Sequence, residues 1–287
     1  MARPHHPRSR ASTRQSSAAR LVALAVLLGG TVASATAQQQ GSGGPGGPGG
    51  PGGPGGPQGT QWGLGIGVVN MQGAYKGIDR ETKALPLLRF ENEYVKVGGL
   101  GLEVKLPSLQ LGERNRIKFG ILGKAQLGGY EADDAPILAG MAERKGGFWA
   151  GAKAEWENDL VDVSAEWTAD ASGNSKGQKF SLGLEKKWRL GQQIMVIPYL
   201  TAHMLDKKYV DYYYGVRAAE ATAGRAAYVG ESGVNVDIGL RTMYRFDKHH
   251  SMLLDVGVTS LAKQIKDSPL VGRSSTNRVV LGYMYNF

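Results

Sequence analysis

The feature that most constrains this chain is a two-residue alternation of apolar and polar side chains, repeated in segments of about ten residues. In residues 234–246 the even-numbered positions are apolar apart from Thr242, and the odd-numbered positions include Asp237 and Arg241. Strands in soluble sandwiches usually have about 5–6 residues, whereas a tilted strand needs about 9–11 to cross hydrocarbon. Lipid offers no hydrogen bonds, so a sheet with such faces must close on itself.

Twelve segments from residue 61 onward read as strands. The windows are 61–71, 84–93, 94–105, 115–130, 147–157, 159–169, 177–188, 193–204, 209–216, 233–246, 250–261 and 276–287. The window at 209–216 is the weakest, and 217–232 indicates a loop with a helical turn. We therefore predict an all-β fold, a transmembrane antiparallel up-and-down β-barrel of about 12 strands, with 10 or 14 left open because bacterial barrels have even numbers.

The last segment carries the most specific signal. Its apolar face ends in Tyr283, Tyr285 and Phe287. Alternating apolar residues that finish on an aromatic residue resemble the signal read by the machinery that inserts barrels into the outer membrane. The alternative interpretation is an ordinary edge strand, but the N-terminal secretory signal and the absence of cysteine favour the barrel.

Residues 1–37 have the pattern of a cleavable secretory signal. Residues 1–20 are basic, residues 21–33 are apolar, and Ala35 and Ala37 form an A-x-A cleavage site. An apolar run this short does not span a bilayer as a helix, although a retained anchor is the alternative. Residues 38–60 repeat Gly-Gly-Pro and cannot bury apolar surface, so we expect a disordered linker, followed by the barrel at 61–287.

Composition excludes several classes of function. The chain has no cysteine, which removes disulfides, thiolate nucleophiles and cysteine metal sites. Removing the five arginines of residues 1–37 lowers the formal net charge from +9 to +4. We therefore expect no nucleic-acid partner, while a mildly basic remainder is compatible with anionic lipid head groups.

The polar faces of the strands carry both signs of charge, and in a barrel these faces line the lumen. The predicted lumen charge network comprises Lys118, Lys124, Lys153, Glu155, Asp162, Glu166, Glu185, Asp237, Arg241, Arg245 and Arg278. Such charges can form a structural network or line a selective pore. We predict no catalytic residue, cofactor or metal. A barrel lipase would need His203 beside a serine such as Ser164 or Ser181, and no sequence signal pairs them.

Several short motifs in order resemble the MipA/OmpV family of outer-membrane proteins, the MltA-interacting protein family, over about residues 61–287. They are Trp62-Gly63-Leu64-Gly65-Ile66-Gly67, Leu85-Pro86-Leu87-Leu88-Arg89-Phe90, Gly98-Gly99-Leu100-Gly101-Leu102, Tyr213-Tyr214-Gly215-Val216, Asp267-Ser268-Pro269-Leu270-Val271 and Gly282-Tyr283-Met284-Tyr285-Asn286-Phe287. The resemblance implies a barrel in the outer membrane of a Gram-negative bacterium and brings no catalytic residues.

The resemblance also implies candidate functions. Some family members are scaffolds that join a murein hydrolase to a murein synthase, and others are porin-like or adhesive. We expect a scaffold or binding protein linked to cell-wall enzymes, with outer-membrane lipid and the insertion machinery as further partners. A porin-like channel for small solutes is the alternative, and a barrel-embedded enzyme is the second. The sequence leaves open the solute, the protein partner, an open or plugged lumen, the role of the Gly-Gly-Pro tract and the oligomeric state.

Overall fold

The computed structural model describes residues 59–287. The expected signal segment 1–37 and residues 38–58 of the expected linker lie outside the described residues. Within residues 59–287, no helix is long and apolar enough to cross a membrane. The secondary structure there is mostly antiparallel strand, joined by turns and loops of very unequal length.

Thirteen strands form one sheet. Their bounds are β1 Gln61–Gln72, β2 Glu81–Glu91, β3 Val95–Gly98, β4 Gly101–Gly112, β5 Asn115–Gln126, β6 Gly147–Glu157, β7 Asp162–Asp170, β8 Gln178–Glu185, β9 Trp188–Leu190, β10 Ile194–Leu205, β11 Gly233–Arg245, β12 His250–Ser260 and β13 Ser275–Asn286. Two short helices, α1 Lys207–Tyr214 and α2 Lys263–Lys266, lie in loops.

The sheet closes into a barrel. Each strand pairs antiparallel with its neighbours along the chain, and β13 pairs with β1. Both β8 and β9 pair with β10, and together they form one strand of the wall. The structure is therefore a closed 12-stranded up-and-down barrel, which confirms the fold class predicted from the alternation. Closure joins the first strand to the last, as a sheet in lipid requires.

Two of the twelve predicted windows were wrong. One contains two strands and the other contains none, so the predicted total of 12 strands is still correct. Window 94–105 contains two strands, β3 and β4, because the chain reverses at Gly99, whose φ of 58° suits a residue without a side chain. Window 209–216 is not a strand, since α1 occupies Lys207–Tyr214. The Asp206 side chain caps this helix by accepting a hydrogen bond from the backbone N–H of Tyr209 at 2.8 Å. The helical turn expected in 217–232 is present at Ala218–Glu220.

The alternation separates a lipid face from a lumen face. On β11, Val234, Ile238 and Leu240 are exposed on the outer surface, whereas Asp237 is buried inside. Aromatic side chains such as Trp62 and Tyr285 lie outside near strand ends, as in the interfacial girdles of outer-membrane barrels.

The two ends of the barrel differ in the length of their connections. One end has the turns 92–94, 113–114, 158–161, 191–193 and 246–249, and the other has the connections 73–80, 127–146, 171–177, 206–232 and 261–274. Outer-membrane barrels have short periplasmic turns and long extracellular loops. The second end is therefore extracellular. We call residues 73–80, 127–146, 206–232 and 261–274 the extracellular cap.

Candidate functional site in the barrel lumen

Ion pairs between inward-facing residues line the wall formed by β5 to β8. Residues opposite each other in paired strands point to the same side, which brings cations and carboxylates together across strands. Lys118 Nζ lies 2.6 Å from Glu157, and Lys124 Nζ lies 2.5 Å from Glu166. The other pairs are Lys153–Glu155 at 2.6 Å, Lys187–Asp162 at 2.9 Å and Lys187–Glu185 at 3.3 Å. On this wall each of these carboxylates therefore faces a cation.

On the adjoining wall, which begins at β10 beside β8, Tyr199 is the centre of a second cluster. Its hydroxyl donates to Asp255 at 3.2 Å and accepts from Arg278 Nη2 at 2.6 Å. Arg278 also pairs with Asp237 at 2.8 Å, and Arg241 pairs with Asp255 at 3.1 Å. Both carboxylates are buried. Buried carboxylates are stable only when paired and hydrogen-bonded, and the two arginines supply these partners to Asp237 and Asp255.

Two glycines make room for Tyr199. A Cβ built on Gly239 would lie 2.2 Å from the Tyr199 hydroxyl oxygen, and one on Gly257 would lie 2.8 Å from it. The ring therefore lies flat across neighbouring strands, over backbone that carries no side chain. Arg241 and Arg278 lie over its face, with guanidinium carbons 5.6 and 5.9 Å from the ring centroid, within the range of cation–π attraction.

A cavity of about 180 Å³ lies beside Tyr199. Four predicted lumen residues line it, namely Glu185, Asp237, Arg241 and Arg278. The structure places Lys118, Lys124, Lys153, Glu155, Asp162 and Glu166 in the pairs of the β5–β8 wall. Arg245, at the periplasmic end of β11, joins none of these pairs. Apart from Arg245, the predicted network thus forms two clusters on adjoining parts of the wall, which meet where β8 pairs with β10.

A serine–histidine pair that no sequence signal indicated lies at the edge of this cavity, which His203 lines. His203 on β10 is the register partner of Ser181 on β8, and Ser181 Oγ lies 2.9 Å from His203 Nδ1. Ser164 lines the same cavity. A nucleophilic serine also needs a group that orients the base and donors for an oxyanion. Among residues 59–287 no carboxylate is within hydrogen-bond distance of His203, so the geometry supplies a hydrogen-bonded pair without the rest of that machinery.

Three residues that complete the two charge clusters were not predicted from the sequence. They are Tyr199, Asp255 and Lys187, which contact the predicted charged residues directly. Asp255 and Lys187 resemble any charged residue of a polar face. Gly239 and Gly257 gave a signal for Tyr199, since two inward glycines on neighbouring strands indicate a large neighbouring side chain.

The extracellular mouth is covered by the cap. Helix α1 lies above the lumen, where the Tyr209 ring is 5.7 Å from that of Trp149, an inward residue of β6. Lys179 Nζ lies 3.8 Å from the centre of the Trp149 ring. Beneath the cap Trp149 is 1% exposed and Thr168 is 2% exposed, although both face the lumen. The cap therefore shields Trp149 and Thr168 from water at this end of the lumen.

Apolar packing and buried hydrogen bonds hold the cap together. One cluster joins Val210 of α1 to Ile265 of α2 and Leu261, and a second joins Leu138 to Leu270. Across loops, the Tyr75 hydroxyl donates to Tyr213 O at 3.0 Å, the Ser268 hydroxyl to Tyr214 O at 2.6 Å and the Tyr228 hydroxyl to Gln264 O at 2.6 Å. The cap is therefore a small folded layer built from four loops.

The strongest polar link in the cap is the buried pair of Arg144 and Glu220. The guanidinium Nη2 is 2.8 Å from Glu220, and the two side chains are 1% and 7% exposed. Glu220 also accepts from the backbone N–H groups of Ala142 and Arg217 at 3.1 Å each. Arg225 donates to the carbonyl oxygens of Ile137 and Ala139. These bonds join loop 127–146 to loop 206–232 at several points.

The surroundings shift two kinds of titratable group in the cap. Burial by itself raises the pKa of the Glu220 carboxyl, but the hydrogen bonds from Arg144 and from the two backbone N–H groups outweigh it and hold that pKa below its ordinary value. Burial raises the pKa of Tyr209 to about 12. At neutral pH the cap therefore holds a charged Glu220 and neutral tyrosines.

The periplasmic half of the lumen remains accessible to water. Lys118 and Lys187 lie near that end, and their side chains are 38% and 37% exposed. The barrel therefore has a charged lumen that the cap covers at the extracellular end and that opens at the short-turn end. These properties define the class: the protein is an outer-membrane β-barrel of the Gram-negative type.

The family follows from comparison with known proteins. Residues 64–287 match the model of the family described as MltA-interacting protein MipA, and the chain belongs to this family. The resemblance drawn from short motifs is thereby confirmed. The family members described below carry names of membrane or interacting proteins rather than of enzymes.

Three relatives illustrate the similarity. The outer membrane protein YiaT of Escherichia coli K12 is 24% identical over 79% of this chain and 92% of its own length. OmpV of Vibrio cholerae is 28% identical over 53% of this chain and 58% of its own length. The MltA-interacting protein of E. coli K12 is 23% identical over 79% of this chain and 90% of its own length. These names support the outer-membrane location predicted from the sequence.

Proposed function

We propose that this protein is a binding protein or scaffold that faces the periplasm and holds a murein hydrolase near the outer membrane. The observation that carries the proposal is the closed extracellular mouth, with Trp149 fully buried beneath α1. A barrel closed outward and open inward presents its accessible polar surfaces to the periplasm, where cell-wall enzymes act.

The relatives support a partner of this kind. One of them is named an MltA-interacting protein, and we infer a murein enzyme as partner for this chain. The periplasmic turns offer charged groups for such a contact. Arg114 and Asp159 lie on neighbouring turns, 3.6 Å apart, with side chains 79% and 72% exposed. Exposed charges at an interface rim chiefly affect specificity and association rate.

The test is direct binding between the full barrel in proteoliposomes and a purified murein hydrolase of the MltA type. We expect saturable binding from the periplasmic face. Reversing the charges with Arg114→Glu and Asp159→Lys should slow association, whereas Lys263→Glu in the cap should leave it unchanged. No binding to the folded wild-type barrel would reject the scaffold function.

A channel for small solutes is the competing function. The charged, water-accessible lining of the periplasmic half of the lumen favours it. Planar-bilayer recording separates the two. The closed cap predicts no steady conductance from the wild-type barrel, and a stable open conductance would favour the channel.

A further inference from the structure

The extracellular end of the barrel contains a larger cavity than the one beside Tyr199, formed between the cap and loop 171–177. Its volume is about 560 Å³, within the ~300–1,000 Å³ typical of sites for small ligands. Besides that loop, α1 and residues 215–218 and 227–229 of the cap line it. The last two stretches are joined, because Val216 and Tyr228 exchange backbone hydrogen bonds at 2.8 and 2.9 Å. We call this cavity the cap pocket.

Two tyrosines that line the cap pocket are held in place by hydrogen bonds. The backbone oxygen of Tyr212 accepts from Arg144 Nε at 2.8 Å, and its hydroxyl accepts from the backbone N–H of Lys145 at 2.9 Å. The Tyr228 hydroxyl donates to the backbone oxygen of Gln264 at 2.6 Å. Both tyrosines are half-buried. A ligand therefore meets aromatic side chains that lose little conformational freedom when it binds.

Apart from the buried cap ion pair described above, the charges that line the cap pocket are mainly positive. Lys176, Lys208 and Arg217 line it, and all three are exposed. The one carboxylate in the lining belongs to Asp211, and its Oδ1 accepts a hydrogen bond from the backbone N–H of Gly230 at 2.8 Å. The cap pocket therefore has an excess of positive charge and attracts anions.

These cations are available to a ligand. Within residues 59–287, neither Lys176 nor Lys208 forms an ion pair. Arg217 approaches Glu220 only to 3.9 Å, and its side chain is 63% exposed. An anion in the cap pocket therefore gains hydrogen bonds from these side chains without displacing a strong internal partner.

The backbone at Lys176 is constrained in an uncommon conformation. Its φ of 53° lies in the left-handed region, which residues with a Cβ rarely adopt. No other non-glycine residue in 59–287 has a positive φ. The Asp170 carboxylate holds this conformation by accepting from the backbone N–H groups of Lys176 at 3.0 Å and Ser175 at 2.6 Å. Such conformations cluster at ligand sites, and here the constrained residue supplies a cation to the cap pocket.

We propose that the cap pocket binds a phosphorylated saccharide from outside the cell. Lysine and arginine side chains form strong charge-assisted hydrogen bonds with phosphate oxygens. Tyr212, Tyr228 and Val216 offer apolar surface to the C–H face of a sugar ring. Because much of the lining is exposed, one side of the ligand stays in water, which suits sugar hydroxyls better than a flat aromatic base. The site lies at the opposite end from the periplasmic turns, so it is independent of the proposed scaffold function.

Calorimetric titration of the full barrel in phosphatidylcholine nanodiscs with glucose 1-phosphate tests the proposal. Glucose, inorganic phosphate and adenosine monophosphate are the comparison probes. Lys208→Gln and Lys176→Gly each remove one lining cation, and glycine retains the left-handed backbone at position 176. Lys207→Gln is the matched control, because it removes the same charge from the neighbouring position of α1, where the side chain pairs with Glu231 at 2.6 Å. Heat-modifiable migration on gels verifies folding of each variant.

We expect saturable binding of glucose 1-phosphate to the wild type, about tenfold weaker binding in Lys208→Gln and in Lys176→Gly, and unchanged binding in Lys207→Gln. Inorganic phosphate should bind more weakly, and glucose should not bind. No binding of glucose 1-phosphate would overturn the proposal, as would equal affinity for inorganic phosphate or tighter binding of adenosine monophosphate. An equal loss in Lys207→Gln would show general charge attraction and also overturn it.

A second titration separates two sources of the phosphorylated sugar. The nanodiscs are prepared with and without lipopolysaccharide, whose sugars carry phosphate. If lipopolysaccharide competes with glucose 1-phosphate in the wild type, the ligand is carried by a lipid of the same membrane. Unchanged affinity for glucose 1-phosphate assigns the cap pocket to a soluble phosphorylated saccharide.

Discussion

The buried pair of Arg144 and Glu220 offers the sharpest perturbation of the closed mouth. Glu220→Gln keeps the shape of the side chain and removes its charge, so Arg144, 1% exposed, loses its counter-ion. Breaking a buried ion pair by removing one partner costs about 3–5 kcal/mol. The remaining carbonyl of the glutamine can still accept from Ala142 or Arg217, which places the expected loss toward the lower part of this range.

The loss falls on the cap and not on the wall. The pair joins loop 127–146 to loop 206–232, and the twelve-stranded ladder does not depend on it. Because about 1.4 kcal/mol is a factor of ten in an equilibrium constant, a loss of about 3 kcal/mol raises the open population of the cap about 100-fold. We therefore expect opening events in planar bilayers that the wild-type barrel does not show.

Hydrogen exchange supplies the matching structural readout. Amides of loops 127–146 and 206–232 should exchange faster in Glu220→Gln, while those of β11 and β12 should not change. Lys263→Gln is the control, because its pair with Asp267 is exposed and surface pairs contribute little. Unchanged conductance together with unchanged exchange in Glu220→Gln would refute the conclusion that this pair holds the mouth closed.

Further predictions follow from other parts of the structure. Hydrogen bonds from Arg144 and backbone N–H groups lower the pKa of Glu220 despite its burial. The stability that Glu220 gives the cap is therefore present above the unfolded-state pKa and is lost as pH falls through the folded-state pKa. Amide exchange in the cap should accelerate below about pH 4 in the wild type but not in Glu220→Gln. Gly239→Ala should destabilise the barrel by about 1–3 kcal/mol, because its Cβ meets the Tyr199 hydroxyl at 2.2 Å, whereas Gly224→Ala meets nothing within 4 Å and should leave the melting temperature unchanged. Asp206→Ala should weaken α1 by about 1 kcal/mol, seen as faster exchange at Tyr209 with no change in β10. Phe287→Ala should slow assembly by the insertion machinery without lowering the stability of assembled barrel; equal assembly rates in reconstituted machinery would contradict a signal at this position.

The wall was predictable from the sequence because its pattern is local. Each strand that spans the membrane must present an apolar residue at every second position, so the alternation in 234–246 identifies β11 without knowledge of its neighbours. The same alternation fails where the chain leaves the membrane. Residues 209–216 were predicted as a strand because valine and tyrosine favour strands, but Asp206 caps a helix there, and Val210 and Tyr213 are buried at helical spacing.

The site was less predictable because its contacts join distant residues. Register sets which residues meet, and a shift by one residue reverses every side chain. Ser181 and His203 lie 22 positions apart and meet only because β8 pairs with β10 in one register. Arg144 and Glu220 are 76 positions apart, in loops whose sequences carry no pairing signal. The cap therefore emerged only from the three-dimensional structure.

The central claim is that one face of each strand meets lipid and the other meets a lumen. Single spin labels along β11, introduced at each position of Gly233–Arg245 into the cysteine-free chain and measured in bilayers, test this most directly. The structure predicts a period of two residues, with oxygen reaching labels at even-numbered positions such as 236, 238 and 240, and low oxygen access at odd-numbered positions such as 237 and 239. Uniform accessibility along the strand, or a period near 3.6, would contradict the barrel.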